Sequence, residues 1–200
     1  VRRFSLLFLA STLGLATAAN AQTVINFDNL SDGTAVTNQY AGVTFSSSAG
    51  NTNYITTQSN YNGSKPNFIC TGQTGQGINC TAPTFVSFLN AVSGVSLKAL
   101  GINDVGNVKV AQVNIYNGVN FLGSQDIFGN GEGVNPLVVN LASWGTMTRF
   151  ELTNITDAAG IGWDDVTYTA GPVTTAPEPA SVALVLTGLV GIVAARRRRA

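Results

Sequence analysis

The chain is 200 residues long, carries no histidine, and has only 10% charged residues, ten basic and ten acidic. Without histidine, Ser-His-Asp and Cys-His catalysis are excluded, and the usual general base near neutral pH is missing. Six of the ten basic residues are terminal (Arg2, Arg3, Arg196, Arg197, Arg198 and Arg199), leaving four basic against nine acidic side chains in residues 22–175, a net of −5; such a body lacks the basic footprint for a phosphate backbone, so nucleic acid is not an expected partner.

The chain begins VRRFSLLFLASTLGLATAANAQT, with Arg2 and Arg3, an apolar run from Phe4 to Leu15, and then small residues. Ala19 and Ala21 fill the small positions of an A-x-A site, so residues 1–21 read as a secretory signal peptide cut by signal peptidase before Gln22. The body is therefore expected to be exported.

From Thr23 onward, short apolar alternations are separated by Gly and Asn. TVINFD sets Ile25 and Phe27 against Val24 and Asn26, and GVTFSS puts Val43 and Phe45 on one face. TFVSFLN, GVSLKALGI, VKVAQVNIY, NFLGSQDIF, PLVVNLA, TRFELTNI and GWDDVTYTA follow as further strand candidates. A spacing of roughly 10–15 residues with turn chemistry between the runs predicts an all-β, antiparallel, jelly-roll-like β-sandwich over residues 22–170. Residues 171–176 read as a linker. In VNIYNGVNFLG, Asn117-Gly118 predicts a type I′ hairpin turn with Ile115 approaching Phe121 across the ladder.

Cys70 and Cys80 are the only cysteines. In an exported body they are expected to form a disulfide closing CTGQTGQGINC, with about 2–3 kcal/mol from loop closure. The rivals are two free thiols or half of a metal site; the absence of histidine and further cysteines argues against zinc. Tyr54, Tyr61, Tyr116, Trp144 and Trp163 could stack on a sugar. Trp163 sits in an apolar alternation and is expected in the core, which leaves Trp144 as the candidate ligand contact.

The chain ends APEPASVALVLTGLVGIVAARRRRA. Ala180 to Ala195 carry no charge and as a helix would reach about 24 Å, short of a hydrocarbon core of about 30 Å but within what thinning and snorkelling accommodate. Arg196 to Arg199 form a cytoplasmic stop, which puts Pro177, Glu178 and Pro179 on the exported side of a transmembrane helix. The tripeptide, the apolar span with Gly188 and Gly191, and the arginine cluster together resemble the PEP-CTERM sorting signal of Gram-negative bacteria. That resemblance implies recognition of residues 177–200 by an exosortase, a transient inner-membrane anchor, and release or transfer to the cell envelope, often where extracellular polysaccharide is made.

The body, through INFDNLSDGT, YAGVTF and GIGWDDVTY, is similar to the jelly-roll passengers attached to such signals, which resemble carbohydrate-binding modules. The resemblance implies a structural calcium with Asp164 as ligand and Asp165 and Asp28 as further candidates; no cofactor is required. Three functions follow in order: a non-catalytic exported envelope or matrix protein associated with extracellular polysaccharide, a glycan-binding module, and, third, a glycoside hydrolase using carboxylates such as Glu132 and Glu151.

Overall fold

A computed structural model of the chain describes residues 21–57, 65–73, 79–102, 106–129, 131 and 135–171. The segment before Ala21 and the whole PEP, apolar and arginine tail lie outside the described residues. Among those described, no helix is long and apolar enough to cross a membrane, and the helical structure is one 3₁₀ turn at Ala142–Trp144.

Ten strands make the body all-β: β1 (Gln22–Ile25), β2 (Val43–Ser46), β3 (Asn51–Thr57), β4 (Asn67–Gln73), β5 (Thr84–Leu100), β6 (Lys109–Asn117), β7 (Asn120–Phe128), β8 (Leu137–Asn140), β9 (Met147–Thr153) and β10 (Gly162–Ala170). All pairings are antiparallel and form one curled network in the order β3-β4-β10-β5-β9-β6-β7, with β1 on β10 and with β2 and β8 on β5. The sheet curls into a half-barrel, consistent with a β-sandwich, and β5 is shared by four neighbouring strands.

That sharing explains why two sequence runs fuse. TFVSFLN and GVSLKALGI were expected as separate strands, yet β5 runs through both. Its first half pairs with β2 and β9, and its second half with β8 and β10. At Leu89 to Ala91 the pairing with β9 slips between Ser87 and Val92, and Gly94 at φ 61° supplies a bend that a side chain would resist. A strand flanked on both sides keeps its backbone bonded through an irregularity that looks like a loop in sequence.

Alternation fixes the faces. Val86, Val113, Ile115, Phe150 and Leu152 point inward and are buried, together with Ile25, Phe27, Val43 and Phe45 near the front of the chain. Each such side chain removed from water contributes about 1.5–3 kcal/mol relative to exposure. Trp163 is in the core as expected, 1% exposed.

Strands β3 and β4 were not foreseen, because NTNYITT and NFICTGQ are polar by composition. They are held by seven consecutive register pairs from Asn51↔Gln73 to Thr57↔Asn67 and by a buried polar chain in which Thr71 Oγ1 donates to Asn53 Oδ1 at 2.5 Å and meets Thr84 Oγ1 at 2.6 Å. Satisfied polar groups substitute there for apolar packing. The expected Cys70–Cys80 disulfide is present, with Cα atoms 4.6 Å apart. It ties β4 to the segment whose Cys80 carbonyl accepts a bond from the Ile161 N–H at 3.0 Å.

The hairpin differs in detail from the expected one. Asn117 pairs with Asn120, so the central residues are Gly118 and Val119 rather than Asn117 and Gly118. Gly118 has φ 60° while Val119 does not adopt a positive φ, which is the glycine-first pattern of a type II′ turn. A bulge at Leu122–Gly123 then shifts the ladder: Ile115 faces Gly123, and Phe121 faces Tyr116.

Candidate functional site

The register of five strands builds one outward face. Pairings Thr44↔Ser87, Ser87↔Arg149, Arg149↔Tyr116 and Tyr116↔Phe121 make a continuous row from β2 through β5, β9 and β6 to β7. Next to it runs Ser46, Phe85, Glu151, Asn114 and Ser124. These positions alternate with the core residues, so they are half-buried or exposed.

At the centre of the face, the Phe121 and Tyr116 rings lie 5.3 Å apart and tilted by 52°. The Arg149 guanidinium sits 4.1 Å from the Tyr116 ring centre. The Tyr116 hydroxyl donates to Glu151 at 3.1 Å, and Arg149 pairs with the same carboxylate at 3.3 Å. Burial, reinforced by Glu151 and opposed by Arg149, raises the Tyr116 phenol above its ordinary pKa. Tyr116 is therefore held by three neighbours, and Phe121, 58% exposed, is the aromatic left open to solvent. Farther along, Asp126 accepts from Gln112 at 2.8 Å and pairs with Lys109 at 2.7 Å; these bonds, Lys109 first, keep its carboxyl below the usual range. Four charges on and beside this face thus form two closed pairs.

Trp144 lies on the other side of β7. It packs half-buried against the core, its indole N–H donates to Gln125 at 3.3 Å, and its ring covers Gly123, where a Cβ would come within 2.6 Å of it. Tyr54 is half-buried on β3, opposite Ala35. Tyr61 and Glu132 lie outside the described residues, as do Ala19, Pro177, Glu178, Pro179 and Arg196 to Arg199. Gln22 is the first residue of β1, opposite Thr169 on β10.

The three candidate calcium ligands separate into two settings. Asp28 accepts from Asn26 Nδ2 at 2.9 Å and from the Asn67 N–H at 3.0 Å. Asp164 is fully buried and accepts from the Asp165 N–H at 2.7 Å. Both act on Tyr40, whose phenol is pushed up to about 12 by burial first, then by Asp28 and Asp164. Asp165 instead pairs with Lys98 at 2.5 Å. Phe27, beside Asp28, and Asp165, beside Asp164, both hold positive φ, 60° and 47°, a conformation rare for an aromatic residue. Calcium takes roughly six to eight oxygens. Among the described residues no group of three or more Asp, Glu, His or Cys side chains is arranged to hold a metal.

Tyr116 and Glu151 stand out in the sequence, whereas their partnership with Phe121 and Arg149 emerges only across strands. The available signal was Phe85 and Tyr116 at positions out of phase with the core; Phe121 shares the parity of the buried Ile127 and is turned outward only by the bulge.

No protein-family model matches the chain, and no curated protein matches it significantly. Among solved structures, a cleaved adhesin domain of Lys-gingipain from Porphyromonas gingivalis aligns at 14% identity, covering 76% of this chain and 99% of that one, with a TM-score of 0.41. A low-affinity xylan-binding module from the gut symbiont Roseburia intestinalis aligns at 9% identity, covering 76% of this chain and 95% of that one, with a TM-score of 0.31.

Proposed function

We propose that this protein is an exported, non-catalytic β-sandwich module that holds polysaccharide at the cell envelope or in the extracellular matrix through its β2-β5-β9-β6-β7 face. The observation that carries the reading is the exposed Phe121 ring braced by Tyr116, beside polar groups already fixed by one another. An aromatic ring offers its flat apolar face to the C–H surface of a sugar, and neighbouring side chains bond its hydroxyls. The carboxylates of Glu151 and Asp126 are both committed to cationic partners, which suits a platform better than acid–base chemistry. Affinity electrophoresis of the exported protein through gels containing soluble polysaccharides tests the reading. Retention that Phe121→Ala removes while the variant remains folded supports it; equal migration with and without every polysaccharide overturns it.

The route to that location is part of the proposal. Signal peptidase cuts before Gln22, the apolar span from Ala180 anchors the precursor in the inner membrane, and an exosortase acts at Pro177-Glu178-Pro179. The proline-flanked tripeptide supports this because proline keeps the segment out of the helix and open to a protease. Glu178→Ala, expressed in a host with the matching exosortase, is expected to accumulate as a membrane-bound uncut form; processing equal to the parent's overturns the sorting step. A structural calcium beside Asp28 and Asp164 completes the proposal.

A further inference from the structure

We propose that the ligand is an internal stretch of an uncharged polysaccharide chain, lying across the strands along the row Phe121, Tyr116, Arg149, Ser87 and Thr44. This inference rests on the glycan-binding reading of the same face and specifies which ligand it takes and in what direction.

Three observations lead to it. The row is unbroken over five hydrogen-bonded strands, and at about 4.8 Å per strand its ends lie roughly 19 Å apart, a length for several sugar rings rather than one. The row is open at both ends. At the β2 end, Thr44 and Ser87 themselves line an open groove of about 310 Å³ with Asn38, Tyr40, Gly42 and Leu89, and Leu89 is 81% exposed. At the opposite end, Phe121 lies on β7, the last strand of the network. A chain can therefore enter and leave, whereas an enclosed pocket would select a terminal sugar.

Charge selects against acidic glycans. Arg149 is neutralised by Glu151, and Lys109 by Asp126. With a body net of −5, no surplus cation among the described residues of this face meets a uronate or sulfate, and long-range repulsion slows its approach. Beside Arg149, the small hydroxyl side chains of Ser87 and Thr44 line the groove itself, with donors and acceptors that match sugar hydroxyls.

The test uses the exported protein with soluble neutral glucan, mannan and xylan, and with polygalacturonate as the acidic counterpart, followed by calorimetry with oligosaccharides of increasing length from the retained polymer. Affinity is expected to rise with length until the row is filled. Phe121→Ala at one end and Thr44→Arg at the other should each cost about tenfold for the long oligomers, equivalent to about 1.4 kcal/mol, while Thr44→Arg leaves the shortest ligands unaffected. Ser87→Arg, beside Thr44 in the groove, serves as a second block, with melting curves confirming that each variant folds. Affinity already complete at a mono- or disaccharide, or indifference of long oligomers to both Thr44→Arg and Ser87→Arg, overturns the row while leaving the glycan-binding reading in place. Preference for polygalacturonate overturns the uncharged ligand. Failure to retain any polymer overturns the glycan-binding reading itself.

Discussion

Trp144 covers Gly123: the indole lies where a side chain on β7 would stand, so closely that a Cβ there would be 2.6 Å from two ring atoms. Gly123 also holds φ 147° at the bulge that turns Phe121 toward Tyr116. The same residue thus admits the tryptophan on the inner side of β7 and sets the aromatic pair on the outer side.

Gly123→Ala is expected to displace the indole and lower stability by about 1–3 kcal/mol, the usual cost of overpacking. Urea unfolding measures the loss, and a red shift of tryptophan emission reports the moved ring. An unchanged midpoint would contradict the contact.

Tyr40 gives stability an alkaline limit. Its phenol is raised from 10.0 to about 12, chiefly by burial and then by Asp28 and Asp164. A folded-state pKa above the unfolded value means that the contribution is fully present below about pH 10 and is lost as pH rises through about 12. Tyr40→Phe, which also removes the 2.8 Å bond to Asn29, is expected to flatten that decline relative to the parent when unfolding is followed from pH 9 to pH 12. Parallel profiles would remove the assignment.

Reduction of Cys70–Cys80, which lie 10 residues apart in sequence, is expected to cost about 2–3 kcal/mol by releasing the closed loop in the unfolded chain. The oxidised protein should be two hydrogens lighter by mass spectrometry, and reduction should lower its Tm by several degrees. An identical Tm in both states would show that β3 and β4 hold this segment alone.

Calcium is expected to raise Tm by mass action if it binds only the folded state, and Asp164→Asn should abolish that increment. Melting curves that coincide in chelator and in excess calcium would remove the ion from the Asp28 and Asp164 setting.

Phe121→Ala should change stability by about 0.5–1.5 kcal/mol, the range of an aromatic pair, while removing polysaccharide retention. Loss of retention only together with loss of folding would assign the ring a purely structural role.

The amino-acid sequence determined what depends on neighbours along the chain. Val43 and Phe45, or Val113 and Ile115, read as inward because a strand alternates its faces every residue. Cys70 and Cys80 read as a pair because no other cysteine competes, and Trp163 read as core because it sits in an apolar-alternating strand. Tertiary structure alone decided what depends on partners across strands. β3 and β4 exist because Asn53, Thr71 and Thr84 satisfy one another in a buried chain that no local pattern announces. β5 stays continuous because β9 and β10 bond it on both sides of its irregularity. A one-residue bulge at Leu122–Gly123 offsets the Tyr116↔Phe121 pair from the Ile115↔Gly123 register, and since one step of register reverses every side chain, that bulge is what places an aromatic ring on the outer face.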